Sequence, residues 1–235
     1  MSDVAAFFDL DRTLISVNSG LLYARWERDA GRIGRRQLAT AVVWGALYHL
    51  DLINIDRAIR TALSHYVGVP ESELADNTKA WFHAEVVPHL APGGMAALQW
   101  HRAQGHPCVL LTNSSSYAAK LAAAQFGLDD WLANRFTCDA DGRLDGGFEQ
   151  PLCVGQGKVV RATKWAAERG VDLSKSWFYS DARSDLPMLE SVGHPVAVNP
   201  DPRLRRIAKR RGWPIQDWRS APPGGMQSVD AGLSP

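Results

Sequence analysis

Cysteine is scarce in this chain: Cys108, Cys138 and Cys153 are odd in number, far apart and without metal-ligand spacing. Neither a disulfide framework nor a zinc site is expected to organise the fold, and reduced thiols fit a cytoplasmic chain. Charge of one sign is lacking too, since 26 basic residues against 25 acidic ones leave +1. That balance calls for neither nucleic acid nor an anionic membrane, so any anion site must be local. Long apolar runs are also missing. The oiliest stretch, LATAVVWGALYHL from Leu38 to Leu50, is too short to span a bilayer and is flanked by charge. It reads as a helix buried in its surroundings, with membrane contact as the alternative, and no stable membrane insertion is expected. Seven histidines are scattered without ligand spacing, and none is assigned a catalytic role. The start, MSDVAAFFDLD, has neither a basic segment nor a cleavage site around its short apolar run, so it reads as a first strand.

Apolar residues make up 46% of the 235, enough for one sizeable domain with a smaller insertion. Short apolar runs at Ala5–Phe8, Val109–Leu111, Trp177–Tyr179 and Val196–Val198 read as buried strands. Helical patterns at Tyr117–Phe126, Val159–Arg169, Leu186–Ser191 and Arg203–Arg211 alternate with them. Strand and helix in alternation predict a doubly wound α/β fold with a parallel sheet. From about Ser19 to Val86 the strand-like texture gives way to amphipathic segments rich in Leu, Ala, Arg and Trp. The expected organisation is an α/β core over 1–18 and 87–220 with a helical cap over 19–86 inserted after the first strand. Residues 135–149, RFTCDADGRLDGGFE, predict a β-hairpin that turns at Asp141-Gly142 and decorates the core. The Gly-, Pro- and Ser-rich segment 221–235 is expected to be a disordered tail. There are no internal repeats.

In open α/β sheets the functional crevice lies beyond the carboxyl ends of the strands. The residues there are polar: Asp9 and Asp11 after the first run, Thr112, Asn113 and Ser114 after the second, Ser180, Asp181 and Asp185 after the third. Asp9 and Asp11, two positions apart in extended chain, point to the same side. Carboxylates that close need a cation or a proton between them, and Asp181 adds a third. A hard cation with oxygen ligands, most plausibly Mg²⁺, resolves the repulsion, while an EF-hand loop is excluded because its glycine and distal glutamate are absent. Lys158, behind the small residues of Val154–Gly157, joins Thr112 and the backbone N–H groups of Asn113 and Ser114 in offering positive charge and donors suited to a phosphate. A carboxylate held against phosphorus can act as nucleophile while its neighbour moves protons.

Asp9-x-Asp11-x-Thr13, then Thr112, then Lys158, then Ser180-Asp181-x-x-x-Asp185, taken in that order, resembles the four motifs of the haloacid dehalogenase (HAD) superfamily. The insertion between the first and second motifs is similar to the phosphoserine-phosphatase-like subclass, and the resemblance runs from about Val4 to Trp218. It implies a phosphatase of small phosphorylated metabolites, phosphoserine- or histidinol-phosphate-like, in which Asp9 forms an aspartyl-phosphate and Asp11 is the general acid/base. It further implies that Asp9, Asp11 and Asp181 hold Mg²⁺, with Asp185 supporting the metal or Lys158, and that Thr112 and Lys158 hold the phosphoryl oxygens. Asn113 and Ser114 complete the implied substrate set with Asn18, at the edge of the core, and Arg60, in the cap. Asn18 stands where phosphoserine phosphatases usually carry a glutamate, and Arg60 falls where they keep a carboxylate-binding arginine. The last motif carries Arg183 and Ser184 in place of the commoner small residue and asparagine. Two rivals remain open: phosphoryl transfer to an acceptor other than water, and a non-enzymatic phospho-acceptor module resembling a bacterial receiver domain. Oligomeric state is left open. Trp26, Trp44, Trp81 and Trp100 are expected to pack in the core, and the charges of Arg203–Arg211 to form the wet face of a helix.

Overall fold

The computed structural model describes residues 2–49 and 55–219. The apolar runs form strands β1 (Ala6–Phe8) and β2 (Cys108–Ser115), joined by β3 (Asp130–Asn134). Strands β4 (Phe136–Cys138) and β5 (Leu144–Phe148) pair separately as an antiparallel hairpin. β6 (Trp177–Ser180), β7 (His194–Val198) and β8 (Ile215–Gln216) complete a six-stranded parallel sheet in the order β3-β2-β1-β6-β7-β8. The sheet is buried on both faces, so its strands read as continuous oil and not as alternation. Side chains still part by period two. Ala6, Phe8, Leu110, Tyr179 and Val198 enter one apolar cluster, while Phe7, Val109, Leu111, Phe178 and Ala197 enter the other.

Helices α1 (Ser19–Asp29), α2 (Arg35–His49), α3 (Ile55–Leu63) and α4 (Glu71–Trp81) follow β1, and a short π-helical turn at Phe82–Val86 leads back to the sheet. Helices α5 (Pro92–Ala103) and α6 (Ser116–Phe126) cover the first face. Helices α7 (Gln156–Arg169), α8 (Leu186–Ser191) and α9 (Pro202–Arg211) cover the second. Local chemistry sets their ends. Asp201 caps α9 by accepting from the Arg203 and Leu204 amides, and Gly127, at φ +66°, closes α6 in the left-handed conformation. On α9 only Leu204 and Ala208 are buried, which leaves its charges in water.

Several expectations need correction. β3 and β8 were not anticipated: β3 begins and ends on a polar residue with its first three residues only half-buried, and β8 is two residues long. The hairpin does more than decorate the core. The Gly68 amide donates to Leu144 O at 2.8 Å, the Leu144 amide donates to Val69 O at 2.9 Å, and Phe148 packs with Leu63 and Leu152, so the hairpin braces the inserted helices. α2 forms where the apolar run predicts a helix, yet Val42 and Val43 are half exposed, at 47% and 53%. Its apolar residues are not gathered in one stripe, so one neighbour cannot cover them all. Among the described residues no helix is long and apolar enough to cross a membrane. Trp26, Trp81 and Trp100 do pack with the first cluster. Segment 221–235 lies outside the described residues.

Near the amino ends of β6 and β7, His101 is fully buried between the Tyr179 hydroxyl at 2.8 Å and the His106 ring at 3.1 Å, with Trp177 and His194 stacked beyond. Burial, reinforced by His106 and His194, pushes its pKa down to about 3. The unfolded chain therefore takes up a proton near pH 6.5 that the folded chain refuses. Stability is present above that pH and is lost as pH falls, by up to about 1.4 kcal/mol per pH unit for this group. Urea unfolding at pH 7 and pH 5 is expected to show this fall in the native chain and a shallower one in His101→Gln; equal slopes would exclude His101 as its source.

Candidate active site

The carboxyl ends of β1 and β6 meet where the strand order reverses, and Asp9 follows β1 directly. Its amide donates to Tyr179 O at 2.9 Å, which fixes the first carboxylate against the neighbouring strand. The chain then turns tightly. Thr13 and Ile15 amides both donate to Leu10 O, and Arg12 sits at φ +54°, a left-handed conformation that strains a non-glycine residue. Asn199, just past β7, holds that turn by donating from Nδ2 to Arg12 O at 2.8 Å. The half-buried Asp11 is thereby brought to the start of α1, where the Ser19 amide donates to its Oδ1 at 2.9 Å.

Lys158 lies in the first turn of α7, and its position depends on Gly157. A Cβ there would sit 1.7 Å from Leu152 O, so only glycine lets the helix approach this closely. The buried ammonium donates to Asp9 Oδ1 at 2.8 Å and to Asp185 Oδ2 at 2.7 Å. Ser180 Oγ donates to the same Asp185 oxygen at 2.7 Å. Thr112 is buried within β2, which runs on past it to Ser115, and its Oγ1 accepts from the Ser114 amide at 3.2 Å. That amide is thus engaged within the end of the strand, while the threonine hydroxyl proton stays available to a ligand. Asn134, on β3, fixes Asn113 by donating to its carbonyl oxygen at 2.7 Å and its side-chain oxygen at 3.0 Å.

Asp9, Asp11, Asn18, Thr112, Asn113, Ser114, Lys158, Asp181 and Asp185 all border one cavity of about 530 Å³. Asn18 also caps α1, accepting from the Leu21 amide at 2.9 Å. Arg60 is not among the lining residues: it pairs with Asp56 at 3.8 Å and lies over the Phe148 ring at 4.6 Å. A residue's place along the chain does not fix the rotation of α3, whose Ala58, Ile59 and Ala62 border the cavity instead. Two supporting residues, Asn199 and Asn134, were not picked out from the sequence. Asn199 follows β7 as the site residues follow their strands, which is a usable signal; Asn134 had none until β3 was recognised.

Electrostatics make this a demanding site. Burial raises the Asp9 carboxyl above its ordinary range against the pull of Lys158, and burial together with Asp9 and Asp185 raises Asp181 well above it. Burial also raises Asp11, outweighing its bond from Ser19. Lys158 would lose its proton more easily for being buried, but Asp185 and Asp9 outweigh that effect and hold it charged. One ammonium thus faces the carboxylates of Asp9, Asp11, Asp181 and Asp185. Among the described residues no three acidic, histidine or cysteine side chains stand close enough together to hold a metal ion by themselves. The donors are nonetheless hard oxygens in excess of local positive charge, a set that fits Mg²⁺, which is usually held by one or two carboxylates with water and substrate oxygens making up the rest.

A profile of the haloacid dehalogenase-like hydrolases matches residues 6–190. The chain belongs to this family. It is 28% identical to a histidinol-phosphatase of Neisseria meningitidis over 91% of its own length and 98% of that protein's. It is 29% identical to a phosphoserine phosphatase of Mycobacterium tuberculosis, covering 98% of this chain and 76% of that one. A solved structure from Bordetella pertussis, of a protein with unknown function, superposes with a TM-score of 0.83 at 30% identity, over 93% of this chain and 100% of that one. The α/β architecture is accordingly the HAD fold.

Gly157→Ala tests the dependence of the site on this close approach. The collision with Leu152 O moves the first turn of α7 and Lys158 with it. A loss of about 100-fold in kcat is expected, the usual effect of displacing a catalytic group by an ångström. Gly170→Ala, at the far end of the same helix where a Cβ meets nothing within 4 Å but φ is +67°, is expected to lower stability through backbone strain and to leave kcat far less changed.

Proposed function

We propose that this HAD-family phosphatase hydrolyses the phosphate monoester of a small amino alcohol or amino acid through an aspartyl-phosphate. The observation that carries the reading is the triad at the switch point: a buried lysine bonded to Asp9 and Asp185, with Thr112 and Asp11 bordering the same cavity. The relatives named histidinol-phosphatase and phosphoserine phosphatase support the substrate class.

Lys158 and the Thr112 hydroxyl hold the phosphoryl oxygens, drawing the dianion toward Asp9. Asp9 Oδ attacks phosphorus and the ester P–O bond breaks, while Asp11 gives its proton to the departing alkoxide oxygen. Asp11, now ionised, takes a proton from water, whose oxygen attacks phosphorus and frees Asp9 with release of inorganic phosphate. Mg²⁺, held by Asp9, Asp181 and the Asp11 main chain with Asp185 in support, would supply the charge that lets an anionic carboxylate approach a phosphate. Asp185 and Ser180 keep Lys158 in place throughout. The inserted helices limit the access of water to this chemistry.

Phosphate release measured on a panel of phosphorylated amino alcohols and amino acids is expected to require Mg²⁺, to stop with EDTA and to return when Mg²⁺ is restored. Asp9→Asn is expected to lower kcat by at least about 10³-fold. Undiminished release by Asp9→Asn would eliminate the covalent route, and release insensitive to EDTA would eliminate the metal.

A further inference from the structure

Arg12 stands between the proposed general acid Asp11 and the buried Thr13, in the tight turn after β1 and at φ +54°. Its backbone is held without help from its side chain: the Arg12 amide donates to Val17 O at 3.1 Å, and Arg12 O accepts from Asn199 Nδ2 at 2.8 Å. Glycine adopts this conformation freely, whereas a residue with a Cβ is strained in it. An arginine here lowers stability, and strain of this kind gathers at functional sites. What the strained position retains is a guanidinium. It is exposed, borders the catalytic cavity and makes no side-chain hydrogen bond or salt bridge among the described residues.

The catalytic cavity opens beside a second one, of about 550 Å³, among α1, α2, α3 and α4. The two share Ser19, Gly20, Ala41, Trp44, Ala62 and Ser114 along their walls, so a molecule whose phosphate sits at Lys158 can place its alcohol in the second. Arg12 borders the catalytic cavity alone, as do Asp9, Asp11, Thr112, Lys158 and Asp181. It is thereby grouped with the residues that face the phosphoryl group and not with those that meet the alcohol. Its charge is felt by both Asp11 and Asp181, against the effect of their burial.

Arg12 and Lys158 are the only basic residues among the described ones that border this cavity. Lys158 is buried and already bonded to Asp9 and Asp185, so much of its charge is answered before any ligand arrives. A phosphate dianion entering from water also meets Asp9, Asp11, Asp181 and Asp185, and carboxylates lining a cavity repel it. An exposed guanidinium at the same wall offsets that repulsion and presents a fork of donors that matches two phosphate oxygens. We infer that Arg12 is a phosphate-binding residue, which meets the phosphoryl group on entry and holds it against the carboxylates together with Lys158 and Thr112. The inference rests on the phosphatase reading and adds a residue to it.

The test compares the native chain with Arg12→Gln, Arg12→Lys and Arg12→Gly. Inorganic phosphate, titrated by calorimetry with Mg²⁺ present, probes the site without turnover, and 4-nitrophenyl phosphate adds an ester whose alcohol is uncharged. Arg12→Gln is expected to weaken phosphate binding about fivefold and to lower kcat/KM for the ester by a similar factor through KM, with kcat held within about twofold. The fall of kcat/KM with added salt is expected to be shallower in Arg12→Gln, and Arg12→Lys is expected to recover part of the loss. Arg12→Gly removes the same charge but relieves the backbone. It is expected to unfold at no lower urea concentration than the native chain while binding phosphate as weakly as Arg12→Gln, a combination that a merely structural arginine would not give. No phosphate binding by the native chain, unchanged affinity in Arg12→Gln, or a fall in kcat at constant KM would each overturn the inference. Ester hydrolysis by the native chain in those cases leaves the phosphatase reading intact, whereas its absence would overturn that reading itself.

Discussion

Lys158 is the charge around which the site is assembled. Its ammonium is 2% exposed and has two carboxylates within hydrogen-bond distance, and taking any one of those three ions out of water alone would be costly. The triad holds because each ion comes from a different rigid element: Asp9 from the end of β1, Asp185 from the turn before α8, Lys158 from the first turn of α7. Close approach of α7 is what the glycine at 157 permits, and Ser180 adds the bond that fixes Asp185. A site of this kind is poor ground for stability and good ground for function. Under the proposed mechanism a cation and a phosphate would relieve its excess negative charge, so that binding energy is spent where the chemistry takes place.

Much of the core is legible in the sequence because a parallel sheet buries both faces of its strands. β1, β2, β6 and β7 show as short oily runs, and the polar residues that follow them lie at the one edge where a buried strand can present charge. For the same reason Asp9, Asp11, Thr112, Lys158, Asp181 and Asp185 could be singled out together and do border one cavity. β3 was hidden because Asp130 spends its carboxylate on Trp165 Nε1 at 2.8 Å and on Arg169 at 2.9 Å, contacts that no local pattern announces. β8 is too short to leave a period at all.

The inserted helices were much less legible. Periodicity tells that α1 to α4 are helices, but not how they are rotated about one another, and the character of the second cavity lives in that rotation. Glu27 meets Tyr66 from 39 positions away, and Tyr23 meets Trp81 across two helices. Neither pair has a spacing that could be read in advance. Arg60 illustrates the converse: placed in the site by resemblance, it spends its charge on Asp56 and the face of Phe148. Strand ends are fixed by the sheet, whereas helix faces are fixed only by packing.

Ser19 joins the two parts. Its amide holds the Asp11 carboxylate at 2.9 Å, and the same residue borders both cavities. Ser19 opens α1, which carries Tyr23 one turn on and Glu27 a further turn along. A ligand that fills the second cavity therefore meets the helix whose first amide orients Asp11, the proposed general acid. Recognition of the alcohol and the placing of its proton donor run through one rigid element. A leaving group that fills the cavity is then favoured in the chemical step as well as in binding, which is how interactions remote from phosphorus come to raise the rate.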